Sequence, residues 1–342
     1  MLMKELLSIA LYLLLLVGPF ALYLLFPSFW RLHRVLFYFV AYTPVAIFAS
    51  LRGNVGTDTE NYRDAYDLFD TGVSPTFSID YLFNLLIYVC KVLGLGFQGF
   101  SAVHSFLCLM LFSYGAGRVD KVAPVLGLGI LPVLIVDATF NGLRYGLAFA
   151  AAAVCIHFYY RSTSWMKLGF LVVPGLIHSS LLPLLAMAPV VLVVGVAYLF
   201  TIDLQSLLYF SFFADKAESY SEFQRPSGFS GLIPLISFCI LFLASLANKN
   251  SLRIGFNLGF IAIGIFLSGV FVASQSYAGL RIMQVGVFLF AIHVAQTAQP
   301  EFERTTVHLA ILLGLIGALN FLRQIFLVGP DGGVVFYPYV FH

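Results

Sequence analysis

The sequence predicts an all-α polytopic membrane protein of about ten to twelve transmembrane helices. Three observations carry that expectation. Hydrophobic residues make up 61% of the 342 residues and charged residues only 10%, against roughly 25% charged in an average soluble domain. The mean hydropathy is +0.96, more apolar surface than a water-soluble globule can hide. The apolar runs are long and continuous, whereas the strands of a membrane β-barrel alternate polar and apolar residues. The net charge of +2 calls for no polyanionic partner, and nucleic acid is not expected.

A helix that crosses the bilayer needs about 20 mostly apolar residues. The run Leu6 to Phe26 is too long for a signal-peptide core and has no small-x-small cleavage pattern, so 5–26 reads as a retained first span. Further spans are expected over 35–51, 97–117, 122–140, 142–160, 231–247, 254–277, 280–298 and 305–328. Pro174, Pro183 and Pro189 interrupt the apolar stretch 167–200, which predicts two short helices meeting near His178. The apolar stretch 201–214 receives no assignment. The segment 81–95 holds Asn84 and Lys91 and falls short of a span; it predicts an amphipathic helix lying at the membrane interface. Cys90, Cys108, Cys155 and Cys239 are isolated in apolar runs and read as small buried hydrophobes.

Lysine and arginine in the connections set the orientation. Arg31/Arg34, Arg118/Lys121, Arg161/Lys167, Lys249/Arg253 and Arg304 are expected in the cytoplasm. The whole chain, 1–342, then forms one transmembrane domain. Its external parts are a loop over 52–96 that carries the interfacial helix, a second loop over 215–230 and the tail 329–342. The N-terminus also comes out external.

Ionisable residues in or beside spans are costly and are functional candidates by default. Arg144, in Asn141-Gly142-Leu143-Arg144-Tyr145, stands at the outer start of a span, and Arg281 opens another. Neither has a carboxylate adjacent in sequence, which leaves each guanidinium available to an anion. Arg323, with Asn320 and Gln324, lies towards the outer end of the last span; Asp137 and His178 complete an outward-facing set. His104, His157, His293 and His308 lie within spans without a polar companion and read as structural. The external loop opens with Arg52-Gly53-Asn54-Val55-Gly56-Thr57-Asp58-Thr59-Glu60-Asn61-Tyr62. Asp58 and Glu60 are followed by Tyr62, Tyr66 and Phe69, a pairing of carboxylates with aromatic platforms that suits a sugar. The alternative is a solvated acidic loop in which Asp58 caps a helix at 60–70.

Taken in order, Arg52…Gly56-Thr57-Asp58…Tyr62, Asn141…Arg144…Ala148, His178-x-Ser180-x-Leu182 and the closing Tyr337-Pro338-Tyr339 resemble the EpsG-like group of Wzy polysaccharide polymerases. The chain departs from that group at Tyr145, where glutamine usually follows the arginine. The resemblance implies a GT-C-like glycosyltransferase of the bacterial inner membrane. It would polymerise undecaprenyl-diphosphate-linked oligosaccharide repeat units at the periplasmic face, with no cofactor or metal required. Its partners would be that substrate, membrane lipids and a chain-length-regulating co-polymerase. Asp58 and His178 are then the candidate catalytic residues, with Asp58 preferred as base. Arg52, Glu60, Tyr62, Asn141, Arg144, Tyr145, Arg281, Arg323 and Tyr337 are the candidate substrate-binding residues. Two other readings stay open. A lipid-linked oligosaccharide flippase would need polar residues deep in many spans; the other is a membrane acyltransferase, which could use His178 with Asp137, or an O-antigen ligase.

Overall fold

The computed structural model describes residues 2–53, 55, 58–72, 80–140, 142–162, 166–187, 231–247, 258–273 and 278–325. The loop at 215–230, the tail 329–342, the stretch 201–214 and the pair Lys249/Arg253 lie outside them.

The regular secondary structure of the described residues is all helical, with no β-strand. The helices are α1 (Leu2–Leu25), α2 (Pro27–Leu32), α3 (Arg34–Ser50), α4 (Thr59–Asp67), α5 (Tyr81–Val92), α6 (Phe97–Val119), α7 (Leu131–Phe140), α8 (Leu143–Arg161), α9 (Met166–Ile177), α10 (Leu232–Ala247), α11 (Leu258–Ala273), α12 (Ala278–Thr297) and α13 (Glu303–Ile325). Each expected apolar run finds its helix. By length and composition, Phe97–Val119 and Gly279–Thr297 are long and apolar enough to cross a membrane, and six further apolar helices are shorter. That is fewer full-length spans among the described residues than the sequence predicts. The run expected over 122–140 shows one cause: a π-helical segment, Val125–Ile130, occupies its first part and leaves α7 only 10 residues.

Helices α8 and α12 form the centre. Nearly every α8 residue from Leu143 to His157 is buried, Arg144 and Val154 only in part. A helix apolar all round belongs in a core. Phe149 of α8 meets Phe288 of α12 edge to face, with ring centroids 4.7 Å apart. Small residues let backbones approach closely, as helix pairing in lipid requires. A Cβ added at Gly117 of α6 would lie 2.7 Å from the Val35 backbone nitrogen of α3. One added at Gly286 of α12 would lie 2.7 Å from Phe266 Cβ of α11. On the outer surface Leu24, Met110, Leu243, Leu267, Phe271 and Leu319 are exposed, a distribution suited to lipid contact and not to water. Cys90, Cys108 and Cys155 are buried as expected, but Cys239 on α10 is exposed.

Helix α5 has 12 residues, about 18 Å. Its start and its end are tied to neighbouring parts of the outer loop and the first turn of α8. Asp80, just before it, pairs with Arg144, and Lys91 Nζ in its last turn donates to the carbonyls of Asp67 (2.9 Å) and Phe69 (2.8 Å).

The other end of the bundle is closed by a buried polar chain centred on Asp120, which the sequence does not single out. Trp30 Nε1 donates to Tyr38 Oη at 2.8 Å, and Tyr38 Oη donates to Asp120 Oδ2 at 2.7 Å. The same carboxylate accepts from the backbone N–H groups of Leu126 (2.9 Å) and Gly127 (2.7 Å) at the start of the π-helical segment. Those N–H groups have no helical partner there, and Asp120 supplies one. Arg34 Nη1 donates to the carbonyls of Asp120 (2.9 Å) and Lys121 (2.6 Å), while Arg31 pairs with Glu303 at 2.9 Å. The basic residues at 31, 34, 118, 121 and 161 therefore gather at one end, as their common orientation requires.

Burial pushes the Asp120 carboxyl up to about 7, against the opposing pull of its donors and of Arg34. A folded-state value raised above the unfolded one contributes stability that is fully present below the ordinary carboxylate range and is lost as pH rises through about 7. Thermal unfolding in detergent is expected to show a midpoint that falls between pH 5 and pH 8, with a flatter profile for Asp120→Asn. Asp120→Ala strands three buried donors and should cost about 3 kcal/mol or more. Arg31→Ala breaks an exposed pair and should cost less than about 1 kcal/mol. Equal costs would show that the Asp120 chain does not hold this end together.

Candidate functional site

The site lies at the opposite end of α8 from Arg161. Nineteen helical residues put about 27 Å between the two ends. Three connections converge there: the segment from α3 to α4, the residue before α5, and the turn from α7 to α8.

Two tethers fix the first of these. Arg52 is buried, donates through Nη1 to the Thr139 carbonyl and stands over the Phe140 ring at 5.6 Å. The Thr59 hydroxyl bonds the Val55 carbonyl at 2.5 Å and approaches the Phe140 carbonyl at 3.3 Å. The start of α4 is thereby held against the end of α7. Asp58 occupies the N-cap position of α4 but makes no side-chain cap bond. Its Oδ2 instead lies 3.9 Å from Arg281 Nη2, at the start of α12.

A second pair stands beside the first. Arg144 Nη1 donates to Asp80 Oδ2 at 3.0 Å. Asp80 is the one non-glycine residue with positive φ among the described residues, at 66°, a conformation that costs energy and persists only where its surroundings hold it. Its carboxylate is buried, and its Oδ1 and the Nε of Arg144 lack hydrogen-bond partners among the described residues. The pair is therefore single-stranded, not a bidentate fork.

Each arginine also covers a tyrosine. Arg144 stands 5.7 Å from the Tyr62 ring centroid and Arg281 stands 5.9 Å from that of Tyr145. Burial pushes the Tyr62 hydroxyl up, with Arg144 opposing, so Tyr62 stays a neutral phenol. Tyr145 is buried and lies edge-on to His178, with centroids 6.5 Å apart. His178 falls between α9 and a 3₁₀ helix, Ser179–Met187, where the prolines place a break. Its Nδ1 accepts from the backbone N–H of Ser180 at 3.1 Å and lies 2.8 Å from the Ser180 hydroxyl. An Nδ1 that accepts a backbone N–H leaves the proton of the neutral ring on Nε2. The site thus holds two arginine–carboxylate–tyrosine units, with Arg144 and Tyr145 adjacent in the first turn of α8.

Of the sequence candidates, Asp58, Tyr62, Arg144, Tyr145, His178 and Arg281 come together, and Arg52 lies beneath them as a tether. Glu60 sits on the exposed side of α4. Arg323 falls in the last turn of α13, while Asn141 and Tyr337 lie outside the described residues. The expectation that Arg144 and Arg281 stand clear of carboxylates is corrected: each has one in space, contributed by the loop between α3 and α5. Asp80 is the residue missed. It is one of several loop acids in sequence, and its partner lies 64 positions away. His104 is structural, as read, with Nε2 at 2.8 Å from the Leu143 carbonyl.

Beneath the site runs an apolar groove of about 390 Å³ between α5, α6, α8 and α9, lined by Leu82, Leu86, Leu107, Leu147, Val173 and Ile177 among others.

The two pairs differ in burial, and stability should report it. Arg144→Ala abandons a buried carboxylate and is expected to cost about 1–3 kcal/mol, largely recovered in the double variant with Asp80→Asn. Arg281→Ala frees a carboxylate whose side chain is 35% exposed and should cost less than about 1 kcal/mol. Thermal unfolding of the three variants checks the order, and a larger loss for Arg281→Ala would contradict it.

No curated protein and no solved structure matches the chain. The EpsG family profile does, over residues 35–341. That match spans the outer loop, the start of α8, the His178 break and both arginines, and on it the chain belongs to the EpsG family of Wzy-like polysaccharide polymerases.

Proposed function

We propose that the protein joins oligosaccharide repeat units carried on undecaprenyl diphosphate, at the periplasmic face of the inner membrane. The growing chain on its lipid diphosphate is the donor. A hydroxyl of the incoming lipid-linked unit attacks the anomeric carbon. The new C–O bond forms as the bond from that carbon to the diphosphate oxygen breaks, and the lipid diphosphate departs with the bonding pair.

The observation that carries this reading is the pair of adjacent arginine–carboxylate–tyrosine units above an apolar groove. Guanidinium groups bind phosphate oxygens bidentately, and Arg144 and Arg281 supply two. Cations placed where charge gathers stabilise the transition state. The groove at Leu82, Leu107 and Leu147 suits a lipid tail entering from the side. Tyr62 and Tyr145 offer ring faces to sugar C–H groups. The helix α5 is read as the interfacial element of a 52–96 periplasmic loop within a single GT-C-like domain.

Asp58 takes the proton of the attacking hydroxyl. Arg281 orients its carboxylate in the resting site, and an arginine drawn onto a diphosphate frees that carboxylate to reach the hydroxyl. His178 suits a different task. Its Nδ1 already accepts the Ser180 N–H, so Nε2–H can donate to a phosphate or sugar oxygen but cannot accept a proton.

A chain-extension assay with purified protein separates these roles. Loss of a general base typically costs about 10²–10⁴-fold in rate. Asp58→Asn should fall by that amount while still binding lipid diphosphate, and His178→Gln should be milder. Arg281→Lys should keep partial activity at best. Near-normal extension by Asp58→Asn with a dead His178→Gln would reverse the assignment. Cysteine labelling after Asp64 should report the periplasm and after Arg161 the cytoplasm; a cytoplasmic Asp64 would end the proposal.

A further inference from the structure

At the far end of the bundle, four cations from three separate connections open onto one cavity of about 550 Å³: Arg34, Arg118, Lys121 and Arg161. Basic residues at one end set orientation, but orientation alone does not make them converge. Their wall carries no carboxylate among the described residues and none of the four is in an ion pair there, whereas nearby Arg31 is held by Glu303; Arg34 already spends Nη1 on the Asp120 and Lys121 carbonyls. His157 and His293 line the same cavity and are both buried, at 7% and 5% exposure. His157 Nε2 has no hydrogen-bond partner among the described residues. A buried polar atom without a partner is costly unless something supplies one.

A second feature adjoins the first. A groove of about 800 Å³ begins at Arg34 and Arg118, which line both spaces, and runs along Leu36, Phe39, Leu107, Met110 and Leu111 of α3 and α6. Cations at one end and an apolar channel at the other describe an amphiphile, not a soluble anion. Basic pockets between membrane helices on the cytoplasmic side are a recurrent way of holding anionic head groups.

The geometry points to a binding site for an anionic phospholipid of the inner leaflet, its phosphates among Arg34, Arg118, Lys121 and Arg161 and its acyl chains along the α3–α6 groove. Four cations and a histidine acceptor or donor match a head group with two phosphates better than one with a single phosphate. Arginine forks at Arg118 and Arg161 give bidentate phosphate contacts, and Lys121 adds a point charge. The bound lipid would link α3, α6 and α8 at the end remote from the candidate site. Its head-group cations are distinct from the residues of the candidate site, while its groove shares Leu107 and Leu111 with the groove beneath that site.

The test is lipid binding to the full chain in detergent, by native mass spectrometry and thermal unfolding, with cardiolipin, phosphatidylglycerol, phosphatidylcholine, a polyprenyl phosphate and inorganic diphosphate as probes. Cardiolipin should be retained and raise the unfolding midpoint most, phosphatidylglycerol less, and phosphatidylcholine not at all. The double variant Arg118→Gln/Arg161→Gln should weaken cardiolipin binding by about tenfold or more, and Lys121→Gln, an exposed change, by less. Asp58→Asn should leave it unchanged. Equal effects of phosphatidylcholine, or full retention of cardiolipin by both variants, would overturn the site. A shift from inorganic diphosphate alone would make it a soluble-anion site, and tighter binding of the polyprenyl phosphate would make it a carrier-lipid site; either contradicts the assignment.

Discussion

The ion pair of Arg144 with Asp80 ties the outer loop to the central helix. Its partners lie 64 positions apart, and the contact fixes several things together. It anchors the start of α5, holds Asp80 in a left-handed backbone conformation, sets Arg144 over Tyr62 and closes α4 and α5 around the first turn of α8. Tyr145, the next residue on α8, is then fixed beneath Arg281. Without that pair, Asp80 and the start of α5 would lose their tie to α8, leaving the Arg52 and Thr59 tethers to hold the loop and Asp58 against the bundle. The pair has a cost as well as a use. A buried carboxylate must be compensated, and the compensation here is a single contact with an unused oxygen and an unused N–H. Arg144, bonded also to Tyr62, keeps an unused Nε–H for a ligand with better geometry.

The two ends of α8 divide the molecule by chemistry. One end pairs Arg144 and Arg281 each with a carboxylate and a tyrosine. The other collects cations; of its carboxylates, Glu303 pairs with Arg31, and Asp120 is buried and bonded to the Tyr38 hydroxyl and two backbone N–H groups. A bilayer imposes this separation, because charge is costly between the two ends. Between them stand the apolar faces of α6, α8 and α12, where alanine and glycine bring helices together and phenylalanine fills the remaining space.

Apolar length and proline spacing made most helices legible. The break at His178 followed from Pro174 and Pro183, and Arg144 and Arg281 were marked by being charged at the starts of apolar runs. The short helix at 81–92 was visible because Asn84 and Lys91 interrupt it. What stayed hidden were pairings between distant segments. Asp80 looks like any loop acid until the fold brings it to Arg144. Asp120 sits in a basic connection and is not singled out by sequence, yet it is buried and caps a π-helical segment that no local pattern in Val125–Ile130 announces. His157 read as one more structural histidine, and only the convergence of α3, α6 and α8 shows the basic cavity around it. Periodicity reports what one helix does; these sites belong to contacts among three or four.

The central claim is that Arg144 and Arg281 leave their carboxylates to hold a lipid diphosphate above the α5–α8 groove. An experimental structure of the full chain with undecaprenyl diphosphate bound tests it most directly. The account expects the phosphates within hydrogen-bond reach of both guanidinium groups, the lipid tail along Leu82, Leu107 and Leu147, and the Asp58 carboxylate turned away from Arg281. Phosphates bound elsewhere, with the Arg144–Asp80 and Arg281–Asp58 pairs intact, would contradict it.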